Sequence, residues 1–597
     1  MVGRERISKK LKRCPTSNTF SLYNRAMKFR KLASYLDKLE KTSSRIEITK
    51  ILADLFKKTD SNEIDTVIYL VLGQLAPSYK GVILNIAEKM MIRVLGRTYG
   101  RKDDEVMAAY KKAGDLGNVA QELGTGQKVQ GTGLSVKDVH DELMKVARDG
   151  GEGSQERKIE LLAGLLKKLD PLSSRFVARI PVGRLRLGFS DKTVLDALSW
   201  METGGKTAKG DLERAYFVLP DVGLLAKNVK EKGIKKAVIE IKPVFGVPVL
   251  PMLAQRIKSP EEMIEKMGKI SVEPKLDGLR LSIHYKKGGE VEAFTRNLNE
   301  NSWMFPELQK IGVQINAREV ILDCEAVGLD EETKAMANFQ KTMTRRRKHE
   351  IEETLKKIGI EFFVFDILLK DGENLMTKPF AQRRKTLEET IKLGGVLKVV
   401  DSEATGDPER INELYRENIK KGFEGIIVKK VDAAYVAGRT GWRWVKMKQE
   451  ATSSAKLADT IDAIVMGYSA GRGKRAGFGV GQFLVGVKDG EKVKTATKIG
   501  TGITDEKFRE LRKRLEKIKT KEKPKEYEVH KDLYPDFWVV PSLVVEIAAD
   551  EITVSPKHTA GLALRFPRLI RFRDDKSPKD ATTLVELQSL FKMQKAP

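Results

Sequence analysis

The chain has 597 residues, 41% of them apolar, and carries 110 lysines and arginines against 83 acidic residues, a formal charge of +27. That length exceeds what one core holds and predicts three or four globular domains, while the lack of any apolar run of 18 residues excludes a transmembrane helix. The cationic excess suits a polyanion, with nucleic acid ahead of an anionic membrane, and no amphipathic anchor supports the membrane. Two distant cysteines, Cys14 and Cys324, exclude a cysteine-rich zinc module and point to a reducing compartment.

Residues 1–26 are basic, polar and weakly periodic. They predict a disordered arm, or an upstream extension with Met27 as the true start; no apolar stretch follows to make a secretory signal. Residues 27–230 predict an all-helical domain. Phe29, Leu32, Leu36 and Leu39 recur at helical spacing, and Ser44 with Glu47 forms a capping-box signature before Ile48, Ile51, Leu52 and Leu55. Near its end, Arg179, Arg184 and Arg186 stand beside small and apolar residues, a pattern that lets guanidinium and backbone reach phosphates together. The linker into the central domain is placed just before the proline-punctuated apolar stretch from Pro243 to Pro251. Residues 240–450 mix strands and helices and predict an α+β domain with antiparallel sheets. Residues 451–597 are mostly short strands with glycine-rich turns, which predict a small β-barrel of the OB-fold type.

The central stretch is Ser271 to Arg280, in which Lys275-Leu-Asp-Gly-Leu-Arg280 lies between two apolar runs. It reads as strand, turn, strand. Alone it could be an ordinary basic hairpin. Further motifs follow in order: Glu325 within Val320 to Gly328, Phe365-Asp366 within Phe362 to Ile367, and Glu424-Gly-Ile-Ile-Val-Lys429. Then come Trp444-Val-Lys446-Met-Lys448 and Arg565-Phe-Pro-Arg568 running into Arg571, Arg573 and Lys576. Charges at the ends of apolar strands are costly unless used. Each motif alone has a bland reading as edge charge or core; the ordered set does not.

That ordered set resembles the covalent nucleotidyltransferases, and most closely the ATP-dependent DNA ligases of the archaeal and eukaryotic replicative type. The resemblance runs from Met27 to Leu590. It implies three domains: an all-α DNA-binding domain, an α+β adenylation domain and an OB-fold domain. It also implies ATP and Mg²⁺ as cofactors and nicked double-stranded DNA as the substrate of a cytoplasmic monomer, nucleoid-associated in a prokaryote, that acts in replication, repair and recombination. By resemblance Lys275 is the nucleophile that becomes a lysyl-adenylate. Crowding by Lys429, Lys446 and Lys448 is expected to favour its neutral amine by like-charge repulsion. The resemblance gives Glu325 and Glu424 to the metal, with Glu325 alternatively on the ribose. Glu273 reads the adenine amino group, Phe365 stacks on the base, and Arg280 and Arg296 hold the 5′-phosphate and the AMP phosphate. Arg571, Arg573 and Lys576 orient the leaving pyrophosphate, and the Gln449 to Lys456 segment is the expected hinge. Arg179, Arg184 and Arg186 are expected on DNA.

Two positions depart from the family pattern. Thr440 stands where an arginine is usual, so Arg439 is expected to take that role. The stretch Gln127 to Thr132 lacks the paired aromatics of a sliding-clamp motif, and the tail from Leu587 to Phe591 matches one only loosely. The alternatives are an RNA ligase or capping guanylyltransferase, against which the helical domain and the Arg565 motif argue, and a degenerate DNA-binding protein, against which the intact Lys275, Glu325, Glu424 and Lys446 argue. NAD use is disfavoured because the zinc cysteines of the bacterial enzymes are absent.

Overall fold

The computed structural model describes residues 26–127, 133–183, 185, 187–257, 259–289, 291–330, 358–438, 441–448, 460–471, 478–500 and 503–593. Arg184, Arg186, Arg439, the 449–456 hinge, most of the 127–132 stretch and residues 1–25 lie outside them. The chain divides into two compact units, with the break between Met447 and Lys448.

The first unit begins with twelve helices among the described residues. They are α1 (Phe29–Glu40), α2 (Arg45–Lys57), α3 (Ile64–Val71), α4 (Glu88–Tyr99), α5 (Asp103–Ala113), α6 (Leu116–Gly124), α7 (Val136–Arg148), α8 (Ser154–Leu166), α9 (Pro171–Arg179), α10 (Asp191–Thr203), α11 (Lys209–Val218) and α12 (Val222–Ile239). Their starts follow local chemistry. Ser44 caps α2 by accepting from the Glu47 N–H, and Asp170 caps α9 ahead of Pro171. The periodic residues Phe29, Leu32, Leu36 and Leu39 are all buried in one continuous core. Gly117 lets α6 and α9 approach closely: a Cβ there would meet the Arg175 carbonyl at 2.5 Å.

The rest of the first unit holds two sheets. One has the order β1-β11-β10-β2-β9, from β1 (Gln255–Arg256), β2 (Ile270–Pro274), β9 (Glu403–Thr405), β10 (Gly425–Lys430) and β11 (Trp444–Lys448). The other has the order β4-β3-β5-β6-β7, with β8 beside β6. Its strands are β3 (Leu279–Lys286), β4 (Val291–Thr295), β5 (Glu319–Asp330), β6 (Ile358–Lys370), β7 (Glu373–Asn374) and β8 (Leu397–Val399). On one face of the first sheet Ile270, Val272, Ile426 and Val428 pack with residues of α13 (Pro260–Met267) and α15 (Pro408–Lys420). The alternate residues Glu273 and Lys429 therefore point the other way, toward Phe365 of β6. Helix α14 (Phe380–Thr390) packs on β6.

The Pro243 to Pro251 stretch is held by hydrogen bonds to both sides. Leu250 N–H donates to the Phe217 carbonyl of α11 (2.9 Å), and Gly246 N–H donates to His284 Nδ1 of β3 (3.1 Å). This ties the helical part to the sheets.

In the second unit the main sheet runs β15-β17-β12-β13-β14-β16, and β18 pairs with both β12 and β21. Its strands are β12 (Ile461–Ser469), β13 (Gln482–Asp489), β14 (Lys492–Ile499), β15 (Lys519–Thr520), β16 (Tyr527–Glu528), β17 (Phe537–Val539), β18 (Val544–Ala548) and β21 (Arg568–Phe572). A separate pair is β19 (Glu551–Val554) with β20 (Leu562–Arg565). Helix α16 (Asp505–Lys517) buries Phe508, Leu511 and Leu515 in this core. The terminal helix α17 (Leu584–Met593) buries Leu587 there too, so the clamp-like tail is packed structure rather than a free peptide. Among the described residues no helix is long and apolar enough to cross a membrane.

His284 is fully buried, accepts at Nδ1 from Gly246, and faces Ser282 Oγ with Nε2 at 3.1 Å. Burial pushes its pKa down to about 3. In the unfolded chain the ring titrates near its ordinary value of about 6.5. Between those values the unfolded state binds a proton the fold refuses, so stability falls as pH falls below about 6.5. A His284→Gln variant is expected to show a shallower loss of urea midpoint between pH 7 and pH 5 than the parent chain; parallel profiles would contradict this.

Candidate active site

The site grows from the antiparallel pairing of β2 with β10. The ladder sets Glu273 opposite Ile427 and Pro274 opposite Ile426. One residue on, Lys275 N–H donates to the Gly425 carbonyl (2.9 Å), and Glu424 N–H donates back to the Lys275 carbonyl (3.1 Å). Those two bonds bring the side chains at the strand ends together. Lys275 Nζ lies 2.6 Å from Glu424 Oε2, and both groups are partly exposed. The nearest charge to this amine is thus a carboxylate, not the lysine cluster expected from the motif order. Lys429 instead turns into the core.

Glu325, on β5, is tied to the same turn: its Oε1 accepts the Gly278 N–H at 3.2 Å. A Cβ at Gly278 would meet the Ala326 carbonyl at 2.4 Å, so only glycine lets the turn lie this close to β5. Burial pushes the Glu325 carboxyl up to about 7, against the pull of Lys275 and Arg280. Among the described residues no group of three or more His, Cys, Asp or Glu side chains could hold a metal ion. Glu325 and Glu424 are each a carboxylate oxygen donor, the kind of ligand of which Mg²⁺ takes one or two while phosphate and water complete its shell.

Deeper in, Lys429 Nζ pairs with Glu273 Oε2 (2.7 Å) and donates to the Phe365 carbonyl (2.7 Å). It is walled by the rings of Phe365, Phe380 and Trp444, at 4.9, 4.8 and 4.5 Å. Burial pushes the Glu273 carboxyl up and the Lys429 ammonium down, and their contact opposes both shifts. Glu273 Oε1 makes no hydrogen bond. Phe365 meets Trp444 edge to face at 5.9 Å, and its neighbour Asp366 is locked by Arg383 through Nε and Nη2, both at 2.8 Å. On β11, Lys446 and Lys448 alternate on the same face as Trp444.

Arg280 does not stand free. Its Nε and Nη2 grip Asp323 (2.9 and 2.6 Å), and Nη1 donates to the Met252 carbonyl (2.7 Å). It lines a cleft with Arg296, which is exposed in the turn after β4. In the second unit Arg571, Arg573 and Lys576 pair with Glu546, Asp462 and Asp575. Sequence reasoning missed Asp323, Arg383, Trp444 and Asp462. Asp323 could have been found, since it lies two residues from Glu325 on the same strand face; nothing local marks Arg383 or Asp462 as partners.

One expected DNA contact is corrected. Arg179 is 2% exposed and spends its guanidinium inside the helical part, on Asp115 (2.9 Å), Glu40 (3.0 Å) and Asn118 (3.1 Å). A cation committed to two of its own carboxylates is not presented to a phosphate.

Comparison with known proteins gives three family matches along the chain. Residues 28–199 match the DNA ligase N terminus, 251–448 the ATP dependent DNA ligase domain and 476–576 the ATP dependent DNA ligase C terminal region. A probable DNA ligase of Dictyoglomus thermophilum is 40% identical over 580 residues, covering 95% of this chain and 98% of that protein. A DNA ligase of Sulfurisphaera tokodaii is 40% identical over 594 residues, with the same coverage of 95% and 98%. A solved structure named Pmar-Lig_PreS3 shares the fold, with a TM-score of 0.50 at 17% identity over 91% of this chain and 99% of that one.

Removing one member of a buried charge cluster leaves the others unpaired, at a cost of about 3 kcal/mol. Arg179→Met is therefore expected to lower the denaturation midpoint of the first unit and to leave the salt dependence of duplex DNA binding unchanged. A reduced salt slope with unchanged stability would restore Arg179 as a phosphate contact.

Proposed function

The chain belongs to the ATP-dependent DNA ligase family, and on that premise we propose how its residues divide the work of sealing nicks in duplex DNA. The observation that carries the assignment is the Lys275 amine, held 2.6 Å from Glu424 on a turn that Glu325 also binds.

In the first step Lys275 Nζ attacks the α-phosphorus of ATP, an N–P bond forms and pyrophosphate leaves. Glu424 orients the amine and is the nearest acceptor for the proton it sheds. In the second, an oxygen of the nick's 5′-phosphate attacks the adenylate phosphorus and the lysine leaves. In the third, the 3′-hydroxyl attacks the 5′-phosphate and AMP leaves. All three are in-line displacements, so catalysis is positioning plus charge neutralisation. Glu325 and Glu424 would hold Mg²⁺, which supplies neutralisation of phosphate charge when bound.

Adenine is read by Glu273, whose Oε2 is held by Lys429 while Oε1, 3.9 Å from Arg384 Nη1, makes no hydrogen bond of its own. Phe365, set edge to face against Trp444, stacks on the base. Arg296, exposed beside the Arg280 cleft, takes a phosphate; Arg280, anchored on Asp323, shapes the cleft. Lys446 and Lys448 face the reacting phosphates, Arg439 takes the role of the family's usual arginine, and Arg571, Arg573 and Lys576 orient pyrophosphate.

The division of labour follows: residues 27–230 bind DNA, with Arg184 and Arg186 as contacts, 240–450 carry adenylation and 451–597 form an OB-fold. The enzyme works as a cytoplasmic monomer in replication, repair and recombination.

Lys275→Ala is expected to lose ATP-driven nick sealing by at least about a thousandfold and to keep sealing of a nick whose 5′ end is already adenylated within roughly tenfold. Equal loss on both substrates would mean that Lys275 supports the fold or DNA binding rather than the first step. Sealing confined to RNA ends would move the substrate to RNA.

A further inference from the structure

Three cations of the last motif, Arg571, Arg573 and Lys576, are each held by a carboxylate of their own unit. Arg571 Nε donates to Glu546 Oε2 at 2.6 Å. Arg573 gives Nη1 to both oxygens of Asp462 (2.9 and 3.0 Å), and Nε and Nη2 to Asp575 (2.9 and 2.7 Å). Lys576 Nζ reaches Asp462 Oδ2 at 2.6 Å.

The strand register builds this cluster. Asp462 of β12 stands opposite Glu546 of β18, and Glu546 stands opposite Arg571 of β21. Two carboxylates side by side across strands repel unless cations lie between them. Arg573, just past β21, is fixed by its N–H donating to the Val544 carbonyl (2.9 Å), which sends its guanidinium over Asp462. Three cations therefore meet three carboxylates, and the patch is near neutral.

Asp462 differs from the other two acids. Its Oδ2 accepts from a guanidinium and an ammonium at once, the arrangement that two cations make around one phosphate oxygen. Its side chain is 13% exposed and that of Arg573 12%, while Asp575, the other partner of Arg573, is 59% exposed. An exposed pair is screened and weak, a half-buried one less so. The contact that a competing anion must displace is thus the one with Asp462.

We propose that Asp462 is a built-in stand-in for a phosphate oxygen: it holds Arg573 and Lys576 in anion-binding geometry until pyrophosphate displaces it, and so restrains how tightly this patch takes pyrophosphate. The inference rests on the reading that these cations orient pyrophosphate. It adds a regulator to them, a carboxylate that exchanges places with substrate. In the forward direction the same exchange helps pyrophosphate leave, because Asp462 reclaims both cations as it departs.

The test is the reverse of the first step, in which pyrophosphate attacks the lysyl-adenylate of the full-length enzyme and regenerates ATP. Asp462→Asn keeps an acceptor of the same shape but removes its charge. It is expected to lower the KM for pyrophosphate by about threefold to tenfold. Asp574→Asn is the control, since it removes a neighbouring charge that pairs with Arg514 and touches neither Arg573 nor Lys576. An unchanged or raised KM in Asp462→Asn would overturn the proposal, and so would an equal fall in Asp574→Asn, which would show a net-charge effect only. Arg573→Ala separates the two layers: if it leaves the KM for pyrophosphate unchanged, the underlying reading fails and the proposal with it. If it raises the KM while Asp462→Asn does nothing, the reading stands and Asp462 is only a brace. Should Asp462→Asn fold poorly, the wild-type adenylate kept free of Mg²⁺ decides: its Arg573 Nη1–H resonance, from the group bonded to Asp462, must shift on saturation with pyrophosphate, and an unmoved resonance overturns the exchange.

Discussion

The pairing of β2 with β10 is the constraint on which the rest of the first unit depends. One register places two acid–lysine contacts on a single ladder: Lys275 against Glu424 at its open end, and Glu273 against Lys429 inside. Shifting β2 by one residue would turn Glu273, and shifting β10 would turn Lys429, toward the apolar layer of Ile270, Val272, Ile426 and Val428. The burial of that layer, roughly 2 kcal/mol for each large side chain, outweighs anything the charged pairs add and therefore sets the register. The chemistry inherits its geometry from the packing.

The buried charges make sense in that light. Glu273–Lys429, Asp366–Arg383 and Arg280–Asp323 are all largely removed from water, where the cost of desolvation rivals the attraction gained. Such pairs are weak arguments for stability. What they do supply is direction. Phe365 is set edge to face against Trp444 with Arg280 and Lys429 over its ring, and Lys429 is held between three rings and a carboxylate. A site whose task is to present an amine, a base-stacking ring and acceptors to one nucleotide gains more from fixed positions than from added stability.

Much of this was legible from the residues, though unevenly. The helical periodicity of Phe29, Leu32, Leu36 and Leu39 marks a core stripe because burial follows the 3.6 repeat. The motifs from Lys275 to Lys576 carry the family through their order. Partnership is harder to read, since pairing is spatial. Arg179 looked like a phosphate contact because its neighbours are small and apolar, but Glu40 and Asp115, 139 and 64 residues away, claim it. Lys275 was expected among lysines; the two backbone bonds past the end of the ladder put Glu424 there instead. Arg383 carried no signal, because only the packing of α14 on β6 brings it to Asp366. In the last unit, the sequence marked the longer strands β12, β13, β14 and β18 but not the short ones, nor the pairing of β18 with both β12 and β21 that creates the Asp462 cluster.

The central claim is that the β2–β10 pair presents Lys275, and not the neighbouring Lys429, as the group that carries the adenylyl unit. Peptide mapping by mass spectrometry after incubation with ATP and Mg²⁺ tests it most directly. The account predicts one adenylyl adduct per chain, on the peptide containing Lys275, discharged when nicked duplex DNA is added. An adduct on Lys429 or Lys446, or a Lys275 adduct that nicked DNA leaves in place, would contradict it.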